Sequence, residues 1–217
     1  MTQEVKILSI VGAVTVVILI GAVFLLSGRS STTSSTSSKA DPKLLIRGDS
    51  NKMGSATAKV TFVEFGDYQC PSCGAAHPVV KEITTAYGDK VQFVFRNFPL
   101  PMHPNAPAAA EAAEAAGAQG KYWQMHDKLF ETQNQWSGLA NPIDVYVGFA
   151  KDLGLDTNKF KADVEGNKYS GKIQSDINDG TSLGVHATPT FYLNGQQAVG
   201  VPSYKSLKSK IDTLLRQ

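Results

Sequence analysis

The sequence predicts an α/β fold with a long helical region inside it. Residues 60–65 form an apolar run typical of a buried strand, residues 70–87 favour a helix, and residues 91–95 form a second buried strand. A helix that connects two neighbouring strands implies that they pair in parallel, with a right-handed crossover. After the helical region, residues 189–193 and 197–199 return the chain to sheet.

Length and composition favour one globular domain with tails. The chain has 217 residues, of which 42% are hydrophobic, enough for one core once the tails are removed. Its net charge at pH 7 is +2, and its basic residues are spread along the chain. Because nucleic-acid binding needs a basic patch, no nucleic-acid partner is expected.

The N-terminal region predicts a membrane anchor. Residues 7–26 form an apolar run that, at about 1.5 Å per residue, spans the roughly 30 Å hydrocarbon core of a bilayer. We expect residues 1–27 to form a cytoplasmic stub and an uncleaved transmembrane signal-anchor. A cleaved signal peptide is the alternative, although its apolar region is usually only about 7–15 residues long. Residues 28–40 are rich in Ser and Thr and predict a disordered linker before a folded domain at residues 41–217.

The folded domain contains several further elements. Residues 44–46 suggest an extra edge strand, and residues 49–58 a loop. Pro78 lies inside the first long helix, where it should produce a kink. A helical insertion is predicted over about residues 103–184, and a final helix with one apolar face begins at residue 202.

Two dipeptides mark a turn and a strand start in the C-terminal sheet. Asn194-Gly195 is the favoured pair for a type I′ hairpin turn. Thr188-Pro189 places a proline at the start of a buried strand, close to the helix at residues 70–87, and we expect this peptide bond to be cis.

The two cysteines carry the chemistry of the chain. Cys70 and Cys73 form a C-x-x-C motif between the first strand and the first helix, and Pro71 suits the first helical turn. Cys70 would then lie at a helix N-terminus, where free backbone N–H groups favour a thiolate. Since the thiolate is the nucleophilic form, this arrangement predicts a redox active site.

Two other interpretations of the motif are weaker. A zinc site needs three or four ligands, and the histidines at positions 77, 103, 126 and 186 lack ligand spacing along the chain. A purely structural disulfide would close a very short loop and constrain the unfolded chain little. We therefore predict neither a metal nor an organic cofactor.

The order of these elements resembles the thioredoxin fold with a helical insertion, as in the DsbA-like family of extracytoplasmic thiol–disulfide oxidoreductases. The resemblance covers much of residues 59–217. The matching segments are residues 62–65 and 70–73, Pro78, and residues 96–99, 120–123, 126–127, 129–130 and 188–191.

The resemblance implies a role for each site residue. Cys70 would be the exposed attacking sulfur and Cys73 the buried resolving sulfur. Pro189 would lie in cis against the disulfide, and Thr188 would offer its backbone to a bound peptide. Glu64, six residues before the first cysteine, would be a buried acid that relays a proton to Cys73; an ordinary strand-end carboxylate is the alternative.

The residues between the cysteines modify this expectation. Pro71 and Ser72 should contact substrate alongside Thr188. The strongest oxidants of the family often carry histidine where this chain has Ser72. A hydroxyl can donate a hydrogen bond to the thiolate but supplies no positive charge, so a stabilised but less extreme thiolate is expected.

The sequence thus predicts a membrane-anchored, extracytoplasmic, single-pass protein that oxidises cysteine pairs in secreted or surface proteins. The resemblance implies a quinone-coupled membrane partner for reoxidation, and the N-terminal helix implies contact with lipid. Two alternatives remain open: a disulfide reductase or isomerase with the same site, and an anchored binding module with a structural disulfide.

Overall fold

The computed structural model describes residues 39–217. The predicted membrane span at residues 7–26, and all but the end of the predicted linker, lie outside this range. Within residues 39–217, none of the helices has the length and apolar character needed to cross a membrane. The backbone N–H of Ala40, at the end of the predicted linker, donates to the Gly195 carbonyl at 2.9 Å, so this residue belongs to the folded part.

A five-stranded sheet forms the centre of the described chain, with strand order β1-β3-β2-β4-β5. Strands β2 and β3 pair in parallel, as predicted, and all other neighbours pair antiparallel. The strands are β1 (Asn51–Met53), β2 (Val60–Gly66), β3 (Val91–Asn97), β4 (Thr190–Leu193) and β5 (Gln196–Val199).

Helices cover the sheet, and six of them lie between β3 and β4 as the predicted helical insertion. Pro78 lies inside the long helix that follows β2, as predicted. The helices are α1 (Pro42–Leu45), α2 (Pro71–Tyr87), α3 (Ala106–Gly117), α4 (Tyr122–Glu131), α5 (Gln133–Trp136), α6 (Ile143–Asp152), α7 (Thr157–Glu165), α8 (Ser170–Ser182) and α9 (Tyr204–Arg216).

Strand β2 is buried on both faces. Phe62 stacks on Phe191 of β4 with ring centroids 5.3 Å apart, on the face that packs against the larger core. Phe65 meets Tyr192 edge-to-face at 6.0 Å on the opposite face. Because both faces are covered, the side chains on each face are apolar, and the strand therefore has a near-continuous apolar run instead of an alternating pattern.

The predicted edge strand at residues 44–46 is wrong. Residues 42–45 form α1, because Asp41 caps the helix by accepting the Lys43 N–H at 2.9 Å and Pro42 occupies its first turn. The edge strand is instead β1, inside the segment predicted to be a loop. It pairs with β3, and Trp123 of α4 donates to the Lys52 carbonyl at 3.2 Å.

The predicted hairpin turn is confirmed between β4 and β5. Asn194 and Gly195 both have positive φ, at 46° and 85°, as a type I′ turn requires. The Asn194 side chain also accepts the Thr61 N–H at 2.7 Å, which ties the hairpin to β2.

A buried arginine joins the insertion to the sheet. Arg96 of β3 is fully buried, and its guanidinium donates to Asp176 and Asp179 of α8, both at 2.6 Å. It also donates to the carbonyls of Leu44 and Leu45 at 2.9 and 2.8 Å. The charge is therefore paired and hydrogen-bonded, as burial demands.

Candidate active site

The C-x-x-C motif lies where β2 passes into α2. A Cβ on Gly66, the last residue of β2, would lie 2.5 Å from the Phe95 ring, so the close packing here requires glycine. Cys70 is the N-cap of α2, with extended backbone (φ −69°, ψ 122°), and Pro71 follows in the first turn. Cys70 thus lies at the helix N-terminus, as predicted, with backbone N–H groups facing its sulfur.

The predicted exposure of Cys70 is wrong. Cys70 is 6% exposed and Cys73 fully buried, so Cys70 is the more accessible sulfur but is itself largely covered. The covering loop contains Thr188, whose carbonyl accepts a hydrogen bond from the Cys70 thiol at 3.4 Å. Pro71 and Ser72 are exposed at the start of the helix.

The pKa values of the two thiols are shifted in opposite directions. The pKa of Cys70 is lowered to about 5, first by a hydrogen bond from the Cys73 thiol. Burial opposes this shift, and the Thr188 side chain and the backbone N–H groups of Cys73 and Ser72 contribute to it. The group of Ser72 that stabilises the Cys70 thiolate is therefore its backbone N–H. Burial raises the pKa of Cys73 well above its ordinary value. At neutral pH, Cys70 is thus the thiolate and Cys73 the thiol.

The Thr188-Pro189 loop faces the cysteines. The peptide bond is cis, as predicted. The Thr188 hydroxyl is buried and makes no hydrogen bond with other groups in residues 39–217. Since it is a donor close to Cys70, it can bond to the sulfur once the thiolate forms.

Glu64 lies in β2, beneath the cysteines, and is 2% exposed. Burial, and to a smaller extent the negative charge of Cys70, raise its pKa to about 8. The charge of Glu64 in turn raises the pKa of Cys73. An ordinary strand-end carboxylate would be solvated, so Glu64 is a buried acid, as the resemblance implied.

Asp67 is a site residue that sequence reasoning missed. One of its carboxylate oxygens accepts the backbone N–H of Gln69 at 2.7 Å and that of Cys70 at 3.2 Å. The other accepts the Leu100 N–H at 2.8 Å and contacts His103 Nδ1 at 2.7 Å. Asp67 therefore fixes the loop that presents Cys70; its place three residues before a helix N-cap was the available signal.

The insertion contributes a second missed residue. Gln133 of α5 donates from its side-chain amide to the carbonyl of Tyr68 at 2.7 Å and to that of Cys70 at 3.0 Å. No local pattern distinguishes this glutamine from others in the sequence. The helical insertion thus holds the active-site loop directly.

The fold also brings together two histidines that the sequence separates. His77 and His126 lie side by side with Asp127, and one ligand atom from each falls within 4.8 Å of the others. Two of the four histidines, although they are scattered along the chain, are therefore neighbours in space.

The fold and the C-x-x-C geometry define the thioredoxin-fold class, and comparison with known proteins agrees. The family described as Thioredoxin matches residues 47–213. The oxidised crystal structure of BdbD from Bacillus subtilis is 26% identical, with a TM-score of 0.71, and the match covers 83% of this chain and 98% of BdbD. The thiol-disulfide exchange protein α-DsbA2 from Wolbachia pipientis is 23% identical, with a TM-score of 0.70, covering 79% and 90% of the two chains. The chain therefore belongs to the thioredoxin family, and its fold is similar to that of BdbD and of the thiol-disulfide exchange protein α-DsbA2.

A further relative is part of a much larger protein. The Na⁺/H⁺ antiporter NhaA 1 of Salinispora arenicola (strain CNS-205) is 34% identical over 159 residues, which are 73% of this chain and 24% of the antiporter. The chain thus spans about a quarter of the length of the curated relatives it matches.

Proposed function

We propose that the chain is a membrane-anchored, extracytoplasmic oxidase that introduces disulfides into secreted or surface proteins. The observation that carries the oxidase activity is the position of Cys70 at the N-terminus of α2, where the Cys73 thiol and backbone N–H groups lower its pKa to about 5. A thiolate stabilised in the folded protein favours the reduced form of the enzyme, and a stabilised reduced form makes its disulfide a strong oxidant.

The proposed reaction begins with the Cys70–Cys73 disulfide. A substrate thiolate attacks the Cys70 sulfur, a mixed disulfide forms, and Cys73 leaves as a thiolate that takes up a proton. The second substrate thiol loses its proton and attacks the substrate sulfur of the mixed disulfide, which releases Cys70 as a thiolate. The substrate loses two electrons to form its disulfide, and the enzyme gains both.

Glu64 is the proposed proton carrier for Cys73. The leaving Cys73 sulfur has a pKa raised by burial and therefore needs a proton when the disulfide opens. A carboxyl group with a pKa of about 8 is largely protonated at neutral pH and can supply it. In reoxidation, the same carboxylate would take the proton back.

Thr188, Pro71 and Ser72 are the proposed substrate contacts. The exposed Pro71 and Ser72 border the sulfur on the helix side. The Thr188 backbone borders it on the loop side, where an extended substrate segment can pair with it. Pro189 would hold this loop against the disulfide.

The proposed setting follows from the N-terminal sequence and the family. Residues 1–27 would anchor the chain in the cell membrane, residues 28–40 would be a linker, and residues 41–217 would act outside the cytoplasm. A quinone-coupled membrane protein would restore the disulfide. This partner is what the resemblance to the DsbA-like family implies.

The reduction potential of the Cys70/Cys73 pair tests the direction of exchange. Equilibration with glutathione at pH 7 should give a value well above that of thioredoxin, about −270 mV, and below that of DsbA, about −120 mV. A value at or below about −270 mV would instead support the reductase alternative. A pair that neither exchanges with glutathione nor oxidises a reduced test protein would support the binding-module alternative.

A further inference from the structure

A second cluster of potential ligand side chains lies between α2 and α4. His77 follows Cys73 by one helical turn on α2, and His126 and Asp127 lie on α4. One potential ligand atom from each residue lies within 4.8 Å of the others. All three residues line a cleft of about 160 Å³.

His77 presents an unused nitrogen to this cluster. The residue is 6% exposed, and its Nε2 atom is buried without a hydrogen bond to other groups in residues 39–217. Nε2 lies 3.4 Å from Asp127 Oδ1. Two ligands of a tetrahedral zinc ion, with bonds of about 2.0–2.1 Å, are about 3.3 Å apart, so this spacing suits a shared metal.

His126 is oriented by a neighbour, as metal-binding histidines usually are. The ring is 3% exposed, and its Nδ1 lies 3.0 Å from the Tyr68 hydroxyl. This contact leaves Nε2 as the nitrogen for a ligand. A hydrogen bond on the second ring nitrogen fixes the orientation of an imidazole ligand.

The charges around the cluster leave one carboxylate oxygen for a cation. Lys81 pairs with Asp127 Oδ2 at 2.9 Å and with Glu131 at 2.7 Å. Asp127 Oδ1 is on the histidine side of the carboxylate. With one lysine and two carboxylates, the charged groups here carry a net negative charge.

We propose that His77, His126 and Asp127 form a binding site for a divalent transition-metal ion, best suited to Zn²⁺. Two imidazoles and one carboxylate are a ligand set that zinc accepts, with a fourth position left towards the cleft. The ion would link α2, whose N-cap is Cys70, to α4 of the insertion. This site is independent of the proposed oxidase function.

The test is zinc titration of the full-length, oxidised protein after treatment with a chelator. The oxidised form is required because reduced Cys70 and Cys73 would themselves bind zinc. Isothermal titration calorimetry with ZnCl₂ should show one saturable site per chain. Zinc should also raise the melting temperature, because a ligand that binds the folded state stabilises it.

Variants identify the ligands. His77→Gln and Asp127→Asn should each weaken zinc binding by at least about tenfold. His186→Gln, which removes an exposed histidine, and Asp152→Asn, which removes an exposed carboxylate, should leave it unchanged. Circular dichroism of each variant checks folding, and Asp127→Asn decides the question if His77→Gln does not fold.

Lys81→Gln separates a metal site from an ordinary ion pair. Both Lys81→Gln and Asp127→Asn break the Lys81–Asp127 pair, but only the second removes a proposed ligand. Zinc should bind Lys81→Gln as tightly as the wild type or more tightly. The proposal is overturned if no saturable zinc binding occurs, if Asp127→Asn binds zinc normally, or if Lys81→Gln loses binding to the same extent.

Discussion

The reduced protein should gain stability over the oxidised protein as the pH rises from 5 to 7. In the reduced fold the pKa of Cys70 falls from an ordinary 9.0 to about 5. At about 1.4 kcal/mol per pKa unit, this difference favours the thiolate by roughly 5 kcal/mol. Since Cys70 is only 6% exposed, solvent screens the interaction little.

The sign follows from proton binding. Between the two pKa values the unfolded chain holds the Cys70 proton and the folded chain does not, so the free energy of unfolding increases with pH. The contribution is complete above about pH 9 and is lost as the pH falls through about 5. Between pH 5 and pH 7 it should amount to roughly 2 kcal/mol.

Glu64 makes the comparison of two redox forms necessary. Its folded pKa of about 8 lies above the ordinary value, so its contribution has the opposite sign and is lost as the pH rises through about 8. Because burial is the first cause of this shift, Glu64 contributes to both redox forms, and subtraction largely removes it.

Urea unfolding of the reduced and oxidised proteins at pH 5 and pH 7 measures the difference. Between these pH values, the free energy of unfolding of the reduced form should increase relative to that of the oxidised form by roughly 2 kcal/mol. In Cys70→Ala, the corresponding increase in the stability of the reduced chain should disappear. A difference that is flat, or that shrinks as the pH rises, would refute the assignment of Cys70 as the stabilised thiolate.

Three further predictions concern single residues. Thr188→Val should raise the pKa of Cys70 above about 5 by removing a hydroxyl donor, which the pH dependence of alkylation would detect; an unchanged pKa would exclude that donor. Glu64→Gln should slow disulfide exchange by about a hundredfold and remove any rate change near pH 8, whereas an unaltered pH–rate profile would exclude a proton carrier. Arg96→Met should cost about 3–5 kcal/mol in urea unfolding, because Asp176 and Asp179 lose their buried partner; a cost below about 1 kcal/mol would contradict that role.

The sequence by itself determined the elements that local patterns specify. The C-x-x-C motif after an apolar run placed Cys70 at a helix start, because Pro71 suits only the first turn of a helix. Asn194-Gly195 fixed the hairpin, because both residues must adopt positive φ. A short apolar run does not distinguish strand from helix, so the pattern at residues 44–46 predicts a strand where the chain forms the end of α1.

Only the tertiary structure decided the surroundings of the sulfurs. Asp67 fixes the loop through Leu100 and His103, which are 33 and 36 residues away in the chain. The pKa values of Cys70 and Cys73 shift in opposite directions because of burial and of hydrogen bonds that form only when the strand, the helix and the Thr188 loop are packed together. Such contacts join residues that are distant in the chain, and no local periodicity encodes them. The pKa of each thiol is therefore set by the tertiary structure.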